Sequence, residues 1–139
     1  MSDLDRARQC AKVMYSNDRS SKALGIEVEV TEPGVAVASM TVSDDMLNGF
    51  DVIHGGLTFT LADTAFAFAC NSYDDQTFAA SAQVEFLRPA VLGDVLTATA
   101  KEDYRGRRNG YHSVEVRNQR DEVVAIFRGR SASTGKSML

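Results

Sequence analysis

The stretch from Asn48 to Asp63 reads NGFDVIHGGLTFTLAD and runs on into TAFAFAC. Gly55 and Gly56 open the apolar run, where the first turn of a helix leaves backbone N–H donors unpaired at the positive end of the dipole. An oxygen that gains negative charge during a reaction is stabilised by such donors, and glycine lets a bulky substrate approach them. A simple bend before the helix would also explain two glycines. Asp63 stands seven residues after Gly56, among Leu61, Ala62, Ala65 and Phe66, with no Lys, Arg or His three or four residues away. A carboxylate buried without a cation costs stability. Its raised pKa suits a general base or nucleophile. A carboxylate that reaches solvent, or caps a neighbouring backbone group, would have no such role.

Asn48 and His54 flank the glycines. An Asn amide can donate to a developing oxyanion, and a His can donate to or protonate a leaving group. Each also has a plain reading, as a turn asparagine before Gly49 and as a histidine satisfied by backbone. Ser81, a hydroxyl in the strand AASAQVEFL, could hold a water beside Asp63 or bond only its own backbone. Gly56 and Asp63 lie about 10 Å apart along one helix, too far for a single reacting carbonyl to touch both. Two antiparallel copies of the helix would bring Gly56 of one chain beside Asp63 of the other. A working site is therefore expected to be shared between two protomers.

The elements that must position these residues follow from periodicity. Apolar groups at Leu4, Ala7, Ala11, Met14 and Tyr15 predict a short amphipathic helix over 4–17. Ile26, Val28 and Val30 alternate with polar residues, as a half-buried strand requires. Pro33-Gly34 turns the chain into a second strand over 35–42. A loop, SDDMLNGFDVIHGG, leads to the apolar helix over about 56–71. Four further strands are predicted over 78–87, 95–104, 111–116 and 123–130, with Asn109-Gly110 as the hairpin signal between the middle two. The tail SASTGKSML is expected to fray. A helix with no wet face must be covered on every side. Six antiparallel strands curled around it, completed by a second copy, give an α+β architecture with oligomerisation.

Composition narrows the function. The 139 residues fit one domain, 1–139, with a hydrophobic share of 44%, sufficient for one core. A net charge of −4 argues against a general nucleic-acid binder. His54, His112 and the scattered carboxylates show no metal-ligand spacing. Cys10 and Cys70 stand far apart, as in a reducing compartment. The N-terminus lacks an apolar signal region, and the run from 55 to 70 is shorter than the roughly 20 residues of a membrane span. A cytoplasmic protein without membrane attachment is expected.

Asn48-Gly49, His54-Gly55-Gly56 and Leu61-Ala62-Asp63 together resemble the signature of hotdog-fold acyl-CoA thioesterases of the phenylacetic-acid-degradation (PaaI) type. The resemblance runs from MYSNDRSSKALGIEV to FRGRSAS and includes MLNG, LADTAFAFACNS, EFLRPA and GDVLTATA. It implies a long helix wrapped by a curved antiparallel sheet of five to six strands, sheets joined edge to edge in dimers, and commonly two dimers in a tetramer. The implied reaction is hydrolysis of acyl-CoA, of the aryl-acetyl kind used in aromatic catabolism, to acid and free CoA. Coenzyme A then belongs to the substrate, and no separate cofactor is implied. Gly55 N–H with Asn48 would polarise the thioester carbonyl. Asp63 of the partner chain would activate water or attack, Ser81 would position that water, and His54 would assist near the carbonyl or sulfur.

CoA phosphates need basic groups, for which Arg88, Arg105, Arg107, Arg108, Arg128 and Arg130 are candidates. The 105–108 group could equally be a solvated hairpin tip. Leu47, Phe50, Leu57, Leu61 and Phe66 could line an acyl pocket or be plain core. Two other functions compete. A hydratase or dehydratase on this fold would need a paired acid and base, and the helix offers no second strong acid. A non-catalytic acyl-CoA-binding module would keep the glycines but would not need a lone carboxylate at position 63.

Overall fold

The computed structural model describes all residues, 1–139. Ser2 starts the first helix, α1 (Asp3–Ser16), by accepting from the Asp5 N–H, while the Asp5 carboxylate accepts from the Ser2 N–H. This reciprocal cap satisfies two donors that a helix start leaves unpaired. A five-residue helix, α2 (Arg19–Ala23), follows, capped by Asp18. Its sequence, RSSKA, has too few apolar residues to reveal a period. The two strands β1 (Glu27–Glu32) and β2 (Val35–Thr41) precede a single 3₁₀ turn at Asp44–Met46. The long helix α3 spans Gly55–Cys70. The remaining strands are β3 (Thr77–Phe86), β4 (Val95–Arg105), β5 (Asn109–Arg117) and β6 (Val123–Ser133).

The six strands form one antiparallel sheet in the order β1-β2-β4-β5-β6-β3. Alternate residues face inward, among them Ala36, Ala38 and Met40 of β2, Leu96, Ala98 and Ala100 of β4, and Val114 and Val116 of β5, all buried. The small inward side chains let α3 lie close against the sheet. Contact is tightest at Gly129, where an added Cβ would stand 2.8 Å from the Phe66 ring. Leu61, Ala62, Ala65, Phe66, Phe68 and Ala69 of α3 are buried within the single chain. Gly56, Thr60, Asp63, Thr64 and Ala67 form the face left open. The requirement that α3 be covered on every side is thus met on all but one face.

The two borders of the sheet differ. Along β1 stand the exposed carboxylates Glu27, Glu29 and Glu32, the kind of charge that keeps an edge from pairing. The other border, β3, is ten residues long, reads TFAASAQVEF and is mostly exposed.

Two sequence expectations fail here. Asn109 and Gly110 belong to β5, with Gly110 paired to Arg105, so the turn is centred on Arg107-Arg108 and closed by the Gly106 N–H donating to the Asn109 carbonyl. The C-terminal tail is not frayed. The Asp74 carboxylate accepts from the Met138 N–H at 2.7 Å and the Leu139 N–H at 2.9 Å, and from the Ser137 hydroxyl. No helix is long and apolar enough to cross a membrane.

Candidate active site

The loop before α3 is held by its own backbone. Asn48 N donates to the Val52 carbonyl, Ile53 N to Ala90, and His54 N to Met46, while Asp51 adopts φ 59°. Inside this loop the Asn48 Oδ1 accepts from the N–H groups of Phe50 at 2.8 Å and Val52 at 3.4 Å. Asn48 is therefore a turn residue, and the same bonds direct the amide oxygen inward. Its NH₂ group makes no bond within the chain and remains a free donor.

His54 is the N-cap of α3, and its Nδ1 accepts from the Gly56 N–H at 2.9 Å. A ring nitrogen that accepts carries no proton, so Nε2 holds it and can donate outward. The bond also corrects an expectation, because the Gly56 amide is occupied and only Gly55 presents a free one. Leu57 N is likewise paired, to the His54 carbonyl. Gly55 N–H thus stands unpartnered at the positive end of α3, and the loop leading into it carries the Asn48 and His54 donors.

Asp63 lies two turns further on, on the open face of α3. Its carboxylate is half-buried, forms no ion pair and accepts no hydrogen bond within the chain, and this loss of solvent raises its pKa. The hydroxyls of Thr60 and Thr64 turn back to helix carbonyls instead. Eight residues separate Gly55 from Asp63, about 12 Å along the axis, so one chain cannot apply both to one carbonyl.

The remaining candidates scatter. Ser81 pairs with Arg130, whose other neighbour across the ladder is Tyr111, and these side chains occupy the outer face of the sheet. Within one protomer the sheet separates Ser81 from Asp63. Arg88 lies near Gly55 but forms an ion pair with Glu122 at 3.2 Å. Arg107 and Arg108 sit at the opposite end of the sheet, beside Cys70 and so about 22 Å from Gly55 along the α3 axis, and Arg105 covers the Tyr73 ring at 3.8 Å. Arg128 is on the outer face with Arg130. Leu61 and Phe66 are core, Leu47 and Leu57 pack partly against it, and Phe50 is 88% exposed at the loop tip.

Two residues that the sequence does not mark as site candidates matter here. Phe86, the last residue of β3, lies over Gly55, whose added Cβ would stand 3.1 Å from the ring. His112 is buried against Phe66 with both ring nitrogens unpartnered, and burial lowers its pKa. Cys10 and Cys70 are free and buried, and burial pushes the Cys70 thiol up to about 12.

A helix wrapped by a six-stranded antiparallel sheet, with a free amide at its start and an unpaired carboxylate two turns in, defines a class. The chain belongs to the thioesterase superfamily, whose model matches residues 50–125. "Acyl-coenzyme A thioesterase PaaI" of Escherichia coli K12 is 47% identical over 130 residues, 94% of this chain and 93% of that one. A solved structure of the E. coli PaaI protein from the phenylacetic acid degradation operon superposes with a TM-score of 0.96 at 46% identity, covering 98% and 99% of the two chains. A Streptococcus mutans protein solved bound to acetyl CoA matches with a TM-score of 0.77 at 27% identity, covering 81% and 90%.

Proposed function

We propose that this protein hydrolyses acyl-CoA thioesters, aryl-acetyl-CoA among them, to the free acid and CoA, at sites shared by two protomers. The observation that carries this reading is the pairing of opposite chemistries on α3. Its start offers the free Gly55 amide beside the Asn48 and His54 donors, and its open face offers the solitary Asp63 carboxylate. Antiparallel apposition of two α3 helices through that face joins the two halves. The unprotected β3 border is the edge at which the sheets would join.

In the assembled site the thioester oxygen accepts from Gly55 N–H and Asn48 Nδ2, which stabilise the charge that develops on it. Asp63 of the other protomer removes a proton from water as the water oxygen attacks the carbonyl carbon, or attacks that carbon itself to form a mixed anhydride that water then hydrolyses, releasing the acid and restoring the carboxylate. The C–S bond then breaks and CoA leaves as a thiolate, with His54 Nε2–H within the loop to donate. A thiolate leaves readily, so one carboxylate and one oxyanion site suffice. Coenzyme A arrives as part of the substrate, and the steps call for no metal. The free cysteines suit a reducing cytoplasm. Arg88 is the basic residue nearest the amide and would have to exchange Glu122 for a phosphate.

The test is a panel of acyl-CoA thioesters, aromatic and straight-chain, with detection of released thiol. Turnover that disappears in Asp63→Ala supports the reading. Tight acyl-CoA binding without turnover would make the protein a binding module instead.

A further inference from the structure

The Phe86 ring lies over the Cα of Gly55, close enough that an added Cβ would meet its Cζ at 3.1 Å and its Cε1 at 3.3 Å. Phe86 pairs with the buried Ala125 across the ladder, so its side chain belongs to the inner face of the sheet, yet it remains 56% exposed. One side of the ring is therefore seated on the helix start, and the other is open. A cleft of about 340 Å³ surrounds it, lined also by Ile53, Thr58, Leu87, Pro89 and Val124. The lining is apolar apart from Thr58 and the flanking Arg88, and the cleft opens beside the one free amide of α3.

We infer that Phe86 is the platform on which the acyl group lies, and that it biases hydrolysis toward aromatic acyl groups. The inference rests on the acyl-CoA thioesterase reading above. A carbonyl oxygen accepting from Gly55 N sits about 3 Å from it. A phenyl ring one methylene beyond the carbonyl carbon then comes within the roughly 4.5–7 Å at which two rings attract. A straight chain gains burial in the same cleft but not the ring–ring contribution, which corresponds to about 2- to 10-fold in kcat/KM. Gly55 serves both needs, because its missing side chain exposes the amide and admits the ring.

The experiment compares phenylacetyl-CoA with hexanoyl-CoA on the wild type, Phe86→Leu and Phe86→Tyr. Phe86→Leu should lower the phenylacetyl-to-hexanoyl ratio of kcat/KM by about 2- to 10-fold, because leucine keeps the apolar burial both acyl groups use and removes the ring–ring attraction. Phe86→Tyr should keep the ratio. An unchanged ratio, or an equal fall with both substrates, overturns the inference. A second readout needs no turnover. In protein carrying fluorinated phenylalanine, with the Phe86 signal assigned from Phe86→Tyr, phenylacetate should shift that ¹⁹F resonance by more than hexanoate does. Equal shifts with both acids, or none with either, would refute the platform. If the wild type hydrolyses no thioester at all, the hydrolase reading fails, and the fluorine spectrum decides the role of Phe86 separately.

Discussion

Complementation between two inactive chains tests whether each site draws on two protomers. Gly55 is the first residue of α3, a position where proline is tolerated because the N–H has no helical partner. The preceding His54 has φ −64° and ψ 129°, the extended backbone that a following proline requires. Gly55→Pro therefore deletes the free amide at a position that tolerates proline, and its Cβ requires the Phe86 ring, 3.1 Å away, to give by a few tenths of an ångström. Loss of one oxyanion donor costs about 10²- to 10³-fold in kcat, and loss of the carboxylate in Asp63→Ala about 10²- to 10⁴-fold. Along one helix these residues are about 12 Å apart, so each defect falls in a different half of a shared site. In a mixed dimer, one site receives the intact Gly55 of the Asp63→Ala chain and the intact Asp63 of the Gly55→Pro chain. The other site receives both defects. Equal amounts at random give about half mixed dimers, each with one working site of two, hence about one quarter of wild-type activity. Differently tagged parents, exchange followed by native mass spectrometry, and thiol release on the same sample complete the assay. Activity that stays at the level of the parents after exchange is verified would refute the shared site.

Asp63→Asn should cut turnover by at least about 10²-fold yet raise stability by about 1 kcal/mol, read from urea unfolding. The sign follows from burial, which raises the folded pKa above the ordinary 3.8. The protonated form is favoured in the fold, and that contribution is lost as pH rises through the folded pKa, leaving a destabilising charge at neutrality. For the same reason, wild-type activity should fall on acidification at a pH above the usual carboxylate range. His112 behaves oppositely: burial holds its folded pKa below 6.5, so stability should drop as pH falls below 6.5 and the unfolded chain takes up the proton. His112→Leu should remove that slope and stabilise the fold by about 1–2 kcal/mol, because it replaces two unpartnered ring nitrogens with apolar surface. Gly129→Ala should destabilise by about 1–3 kcal/mol in thermal unfolding, since its Cβ meets Phe66 at 2.8 Å and Phe127 at 3.0 Å inside the core.

The parts governed by period or by an isolated charge were legible in the sequence. The apolar run announced α3, alternation announced the strands, and Asp63 stood out because nothing within a helical turn could neutralise it. Register was not legible. The β3–β6 ladder slips between Ala79 and Ser81, and a single extra residue in a strand decides which face its successors take. Downstream of the slip Ser81 looks outward with Gln83 and Phe86 inward with Val84, as their alternation indicates, whereas Phe78, which the same alternation would place inward, pairs with Ala132 and is 60% exposed. Long-range partners were equally hidden. Nothing local indicates that Glu122 pairs with Arg88, or that Asp74 holds the amides of Met138 and Leu139. The Asn-Gly pair misled because Gly110 was needed in the ladder, where an added Cβ would crowd the Ser131 hydroxyl at 3.0 Å. The occupied Gly56 amide was missed because a histidine cap is not among the common ones.

The glutamates of β1 bear on how far assembly by edge pairing can run. In the proposed dimer joined at β3, the borders left over belong to β1, and each displays Glu27, Glu29 and Glu32. A second such dimer would have to lay its own acidic margin against one of these and place like charges side by side without solvent between them. In the proposed assembly, edge-to-edge growth would therefore stop at the dimer, and the acidic β1 rim would act as a stop against fibres.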